Sequence, residues 1–313
     1  MKFPIFDSHC DTAFELLRRH EMLYSNNLHV SLEQAEQLDG YVQVFALWTA
    51  AARRQERSQQ ELLQQMYDNL QIQFALFPER VRQCRTTAEI RQTLDEGLTA
   101  AIVSIEGAEG IGCDPGLLDQ AWDAGVRMVS LTWNHENALA GPHGTDQGLT
   151  AQGREFVRRA QRLGMVIDVS HLSDRGFWDL CDITEGPIVA SHSNARAVCG
   201  HSRNLTDDMF REIVRTGGVA GINLYTTFLT ERERCTLDDV LRHMDHFLSM
   251  DGGPRHLALG GDMDGCEHLP EPMTGVAGYA ALIDAMLAHG ISEQTTADIC
   301  FNNHMEVMKL CNM

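Results

Sequence analysis

The chain has 313 residues, 43% of them hydrophobic, and a formal net charge of −19 at pH 7. That length suits two domains or one large α/β barrel, and the composition suits a sizeable buried core. So acidic a chain argues against nucleic acid and against an anionic membrane surface as partners.

Nine cysteines are scattered with no C-x-x-C pair, which fits buried free thiols better than a disulfide framework or a thiolate zinc site. No secretory leader pattern precedes residue 5, no apolar run is long enough to span a bilayer, and "VMKLCNM" lacks a lipid-anchor tail. These features predict a cytoplasmic protein.

The first element, "IFDSHCDT" (5–12), is a run of strand formers ending in His9 and Asp11. Residues two apart on a strand project the same way, as two ligands of one metal ion would need to. Seven more short apolar runs end in polar residues: 40–50, 98–108, 126–134, 164–171, 187–193, 218–225 and 256–265. Mostly continuous apolar runs are expected of parallel strands covered on both faces.

Helical patterns separate most of them. Leu62, Met66, Leu70 and Phe74 recur every four residues, and Thr86 with Glu89 forms a capping box. Thr150, Ser173, Thr206 and Thr236 are further helix starts, with stops at Gly164, Gly217 and Gly290. Residues 292–311 add one or two helices. Strand and helix alternating in this way predict a (β/α)8 barrel, with a doubly wound open sheet as the alternative. No linker or charge run interrupts the pattern, so residues 1–313 read as a single barrel domain. The loop 135–148 is the expected lid or pocket wall.

In such a barrel the chemistry sits at the C-terminal strand ends. Those ends carry His9 and Asp11, Glu106, His171, His192, and Asp262 with Asp264. Imidazoles and carboxylates, one able to bridge, make a donor set for two divalent ions, and without thiolate they suit Zn²⁺ best. Each member also has a purely structural reading: Glu106 as a turn cap with Glu109 its rival, Asp262 as an Asx turn. All of these holding together at five strand ends is improbable.

The motifs "FDSHCDT", "SIEGAEG", "VIDVSH", "ASHSNARAV", "HSRNLTDD" and "GGDMDG" appear in the order seen in the membrane (renal) dipeptidase family of the metal-dependent amidohydrolase superfamily, which the chain resembles from first strand to last. The resemblance implies a zinc-dependent dipeptidase with two Zn²⁺ per chain. It implies that His9 and Asp11 bind one ion, that His171 and His192 bind the other, and that Glu106 bridges both. Asp262 matches the family's acid/base, and Arg203 matches the arginine that holds the substrate carboxylate. Tyr225 and Asn223 fall in the substrate-pocket region.

The implied chemistry is attack on a dipeptide carbonyl by a metal-bridging hydroxide, and the family's tolerance of a C-terminal D-residue extends it to mixed L,D-dipeptides. The resemblance also suggests a homodimer. One departure stands out: the histidine that ends the fourth strand in the family's characterised animal members is replaced by Trp133 in "LTWN". Trp133 is then expected to wall the substrate pocket, with His135 as a rival donor. Competing functions are a metallohydrolase of another amide or ester, such as an N-acyl amino acid or a lactone, and a non-enzymatic binding protein.

Overall fold

A computed structural model describes residues 3–50, 58–311 and 313. The strands are β1 (Ile5–Cys10), β2 (Tyr41–Trp48), β3 (Val81–Gln83), β4 (Thr99–Glu106) and β5 (Val126–Ser130), followed by β6 (Val166–Asp168), β7 (Ile188–Ala190), β8 (Val219–Ile222) and β9 (Leu257–Leu259). All pair in parallel in the order β2-β1-β9-β8-β7-β6-β5-β4-β3, and a further β2–β4 ladder closes the ring. Eight strands therefore form a closed (β/α)8 barrel, and the open-sheet alternative falls.

The ninth strand, β3, was not expected. Val81–Gln83 pair with Thr99–Ala101 of β4, whose other edge holds β2 and whose pairing with β5 begins only at Val103. β3 thus satisfies backbone groups that β5 does not reach. Three residues carry too little pattern to be read as a strand.

Buried, nearly continuous apolar stretches build the wall: every residue of β1, β4 and β5 is buried. The predicted helix signals hold. Leu62, Met66, Leu70 and Phe74 are the buried face of the helix Gln59–Leu76, and Thr86 with Glu89 forms the capping box of the helix Thr87–Asp95. Thr150, Ser173 and Thr206 cap their helices through side-chain oxygens, and Gly164 and Gly217 end theirs in left-handed backbone.

One end of the barrel is plugged. The C-terminal segment packs His304 on Phe6, ring centroids 4.6 Å apart, and Asn303 Nδ2 donates to the Leu257 carbonyl at 2.7 Å. Phe6, Val42 and Ala100, early in their strands, share a buried cluster with Met305, Val307 and Met308. The other end, where the strands finish, opens onto a cavity.

Candidate metal centre

Each predicted metal ligand, and the predicted acid/base Asp262, lies at or just beyond a strand end. His9 is in β1, Glu106 is the last residue of β4, His171 and His192 follow β6 and β7, and Asp262 follows β9. The alternation argument for His9 and Asp11 does not hold in detail. β1 carries a bulge, with Asp7 paired to Gln43 and Cys10 to Phe45, and Asp11 already caps the helix Thr12–Arg19. The bulge and the cap turn, not a regular pleat, bring both side chains inward. Asp262 and Asp264 likewise lie past the strand, both with left-handed backbone (φ 54° and 66°), so strand parity says nothing about them.

The side chains converge. Three trios of donor atoms each fit within 4.8 Å: His9, Asp11 and Glu106; Glu106, His171 and His192; His9, His192 and Asp262. Glu106 Oε1 is 2.8 Å from His171 Nε2 and 3.8 Å from His192 Nε2, while its Oε2 is 3.6 Å from His9 Nε2. One carboxylate therefore faces both halves of the cluster. Among the described residues Glu109, its rival, joins no such trio.

The fit to cations rests on groups the protein leaves unsatisfied. His9 Nε2, Asp11 Oδ1 and Glu106 Oε2 are buried without a hydrogen-bond partner, a costly state for polar atoms. Outer contacts set the histidine tautomers. Ser191 gives its proton to Asp168 (2.6 Å), so it accepts from His192 Nδ1 at 2.7 Å. His171 Nδ1 donates to Asn134 Oδ1 at 2.8 Å. Both Nε2 atoms then carry lone pairs, and they face each other at 3.0 Å. Two lone pairs and a carboxylate at such distances call for positive charge between them.

Ionisation points the same way. Burial, then Asp262 and Asp264, push Asp11 well above the usual carboxylate range. Burial, then Asp11 and Asp262, do the same to Glu106. Burial lifts Asp262 to about 6, although Asn223 and Arg203 pull it back. Burial and then Arg203 lower His9 to about 3, and burial holds His171 and His192 well below the usual imidazole value. Neutral imidazoles among crowded carboxylates make a donor set that suits a divalent cation.

A family model for membrane dipeptidase, peptidase family M19, matches residues 1–312. The chain belongs to that family. It is accordingly a metal-dependent dipeptidase by kind. An uncharacterized protein in the pqqA 5' region of Klebsiella pneumoniae is 35% identical over 242 residues, 74% of this chain and 89% of that protein. An uncharacterized dipeptidase of Schizosaccharomyces pombe is 34% identical over 215 residues, 67% of this chain but 53% of that protein, so the match spans about half of its length. Among solved structures, a metallo peptidase from Rhodobacter sphaeroides liganded with a phosphinate mimic of L-Ala-D-Ala superposes with a TM-score of 0.91. It is 29% identical, and the alignment covers 99% of this chain and 100% of that one.

In this dipeptidase a cavity of about 610 Å³ opens onto Asp11, Glu106, His171 and Asp262, lined by Trp133, His135, Arg203 and Tyr225 among others. Arg203 is buried with Nε unpartnered, and Nη2 lies 3.0 Å from His171 Nε2. Burial lowers it to about 10, so it stays cationic at neutral pH. Asn223, expected beside the substrate, is not there. Its Nδ2 donates to Asp262 Oδ2 (3.0 Å) and to the His192 carbonyl (3.3 Å), and its Oδ1 accepts from the Tyr225 N–H (2.6 Å). With every polar atom engaged and the residue fully buried, Asn223 holds Asp262 in place instead.

Sequence reasoning missed the supports. Asn134, beside Trp133, accepts from His171 and also from His143 Nε2 at 3.0 Å, and His143 Nδ1 accepts from Ser202 at 2.8 Å. The "DVS" before His171 and the "AS" before His192 hide the Asp168–Ser191 pair, whose adjacency to two ligands was the available signal. The loop 135–148 contributes His135 to the cavity wall and is stitched down behind it by the Pro142–Leu172 bridge and the His143 N–H to His171 carbonyl bond of 2.8 Å. That makes it a wall, not a lid. Among the described residues no helix is long and apolar enough to cross a membrane.

Proposed function

We propose that the chain hydrolyses dipeptides bearing a free C-terminal carboxylate, including those with a C-terminal D-residue, and that it does so with two divalent cations, Zn²⁺ by donor type. The observation that carries this reading is the set of buried, unpartnered donors His9 Nε2, Asp11 Oδ1 and Glu106 Oε2 beside a buried arginine whose Nε also lacks a partner. His9 and Asp11 would hold one cation, His171 and His192 the other, and Glu106 both. When bound, the cations supply Lewis-acid polarisation of the carbonyl and a lowered pKa for water.

The chain's own residues do the rest. Arg203 grips the carboxylate by charge-assisted bonds and so orients the scissile carbonyl over Glu106. Asp262 takes a proton from the attacking water and returns it to the leaving amine. Its Oδ2 is held by Asn223, which leaves Oδ1, 4.0 Å from His9 Nε2, to carry that proton. Trp133, half-buried and 6.2 Å from the His171 ring, walls the cavity.

The test is a metal-loaded preparation assayed on dipeptides of both C-terminal configurations, free and amidated. Free dipeptides should be cleaved, and amidation should raise KM much as Arg203→Ala does. Asp262→Asn should retain both metals and lose roughly 10²–10⁴ in kcat. Equal activity on amidated and free dipeptides would remove the role given to Arg203.

A further inference from the structure

The cavity walls are chemically unequal, and the strand order says how they face each other. On one side Phe14, Trp48 and Trp133 meet edge to face. The Phe14 and Trp48 centroids are 5.1 Å apart at 83°, and those of Trp48 and Trp133 are 5.0 Å apart at 66°. All three rings are half-buried and line the cavity. On another side the Arg203 guanidinium lies 5.5 Å above the Phe228 ring, which itself stands 4.9 Å from Tyr225.

Trp48 ends β2 and Arg203 follows β7. In the closed ring β1, β2, β4, β5, β6, β7, β8, β9, those two strands are diametrically opposed. The ligands lie between the poles. Trp48 pairs with Glu106 in the β2–β4 ladder, and Arg203 reaches His171.

We propose that the Phe14–Trp48–Trp133 wall receives the side chain of the substrate's N-terminal residue, so that the enzyme selects dipeptides whose first residue is bulky and apolar. The assignment rests on the dipeptidase reading above and on Arg203 as the carboxylate anchor. With the carboxylate fixed on the β7 side and the carbonyl over Glu106, the chain has one residue left. At about 3.5 Å per residue it extends across the axis toward β2. Half-exposed rings on a concave surface offer apolar area that a bulky side chain would cover. The cavity, about 610 Å³, falls within the range of sites that enclose ligands larger than a minimal dipeptide.

The experiment compares kcat/KM for Gly-Ala, Leu-Ala and Phe-Ala with that for Ala-Gly, Ala-Leu and Ala-Phe, using metal-loaded enzyme. Leu-Ala should exceed Gly-Ala by at least about ten-fold, since even one added methylene in an apolar pocket is worth roughly that. In Trp48→Ala the ratio should fall toward one while the spread of the C-terminal series is kept, and Trp48→Phe should restore most of it. A flat N-terminal series, or a ratio that survives in Trp48→Ala, overturns the proposal. Should Trp48→Ala not fold, Phe14→Leu reads the same wall. Calorimetry with phosphinate mimics of Leu-Ala and Gly-Ala measures the preference without turnover. Absence of all hydrolysis would remove the dipeptidase reading, and equal affinity for the two mimics would remove the wall.

Discussion

At the scale of single residues, the two histidines on one side of Glu106, His171 and His192, are held in different ways. His192 is fixed from inside the barrel by Ser191 and Asp168, both buried, whereas His171 is fixed by Asn134, an exposed residue of the cavity wall. A histidine ligand depends on the partner of its other nitrogen, and losing that partner usually weakens metal binding by about 10–100-fold. Asn134→Leu should therefore weaken one of the two metal equivalents by that factor, measured by equilibrium dialysis, with little change in the thermal stability of the metal-free protein. Asn134→Asp, which keeps the acceptor, should restore affinity. Unchanged metal affinity in Asn134→Leu would mean that another group sets the His171 tautomer.

At the scale of an element, the loop after β9 decides the geometry of Asp262. Its backbone turns left-handed at Asp262 and again at Asp264, an unusual conformation for residues other than glycine. The turn is pinned at both positions. The Asp262 N–H donates to the His9 carbonyl at 3.1 Å, and Asp264 accepts from Thr12 Oγ1 and the His29 N–H, both at 2.6 Å. Gly265 then passes so close to the site that an added Cβ would overlap the carboxylates of Asp11 and Asp262. Gly265→Ala should leave the fold intact by circular dichroism yet lower both metal content and kcat. Full metal occupancy with normal turnover in that variant would show that the two carboxylates can shift without cost.

At the scale of the whole molecule, the site stores unfavourable electrostatics that bound cations would relieve. Asp11, Glu106 and Asp262 each have raised pKa values in the bare protein, chiefly from burial. Binding to the folded state alone stabilises it, by about 4 kcal/mol for a site at a thousandfold excess over its Kd. Chelation should therefore lower Tm by several degrees, reversibly on adding Zn²⁺, and Glu106→Gln should shrink the difference because both cations share that carboxylate. An unchanged Tm after verified metal removal would indicate that these groups satisfy one another without an ion.

The sequence by itself determined the eight barrel strands, because parallel strands covered on both faces must be continuous apolar runs, and most of the helix caps, because capping chemistry is local. It also placed the candidate donors, His9, Asp11, Glu106, His171 and His192, and the acid/base candidate Asp262, where apolar runs stop. What it left open depends on contacts between residues far apart in the chain. The three residues of β3 are a strand only because β4 has a free edge there. The inward turn of His9 follows from a bulge that exists only in register with β2. Asn223 reaches Asp262 because β8 and β9 are neighbours in the closed ring. Asn134 supports His171 across 37 positions of sequence, and Trp48 faces Arg203 only once the barrel closes. Local patterning announces which residues are buried and which can coordinate; only closure of the ring decides which of them meet.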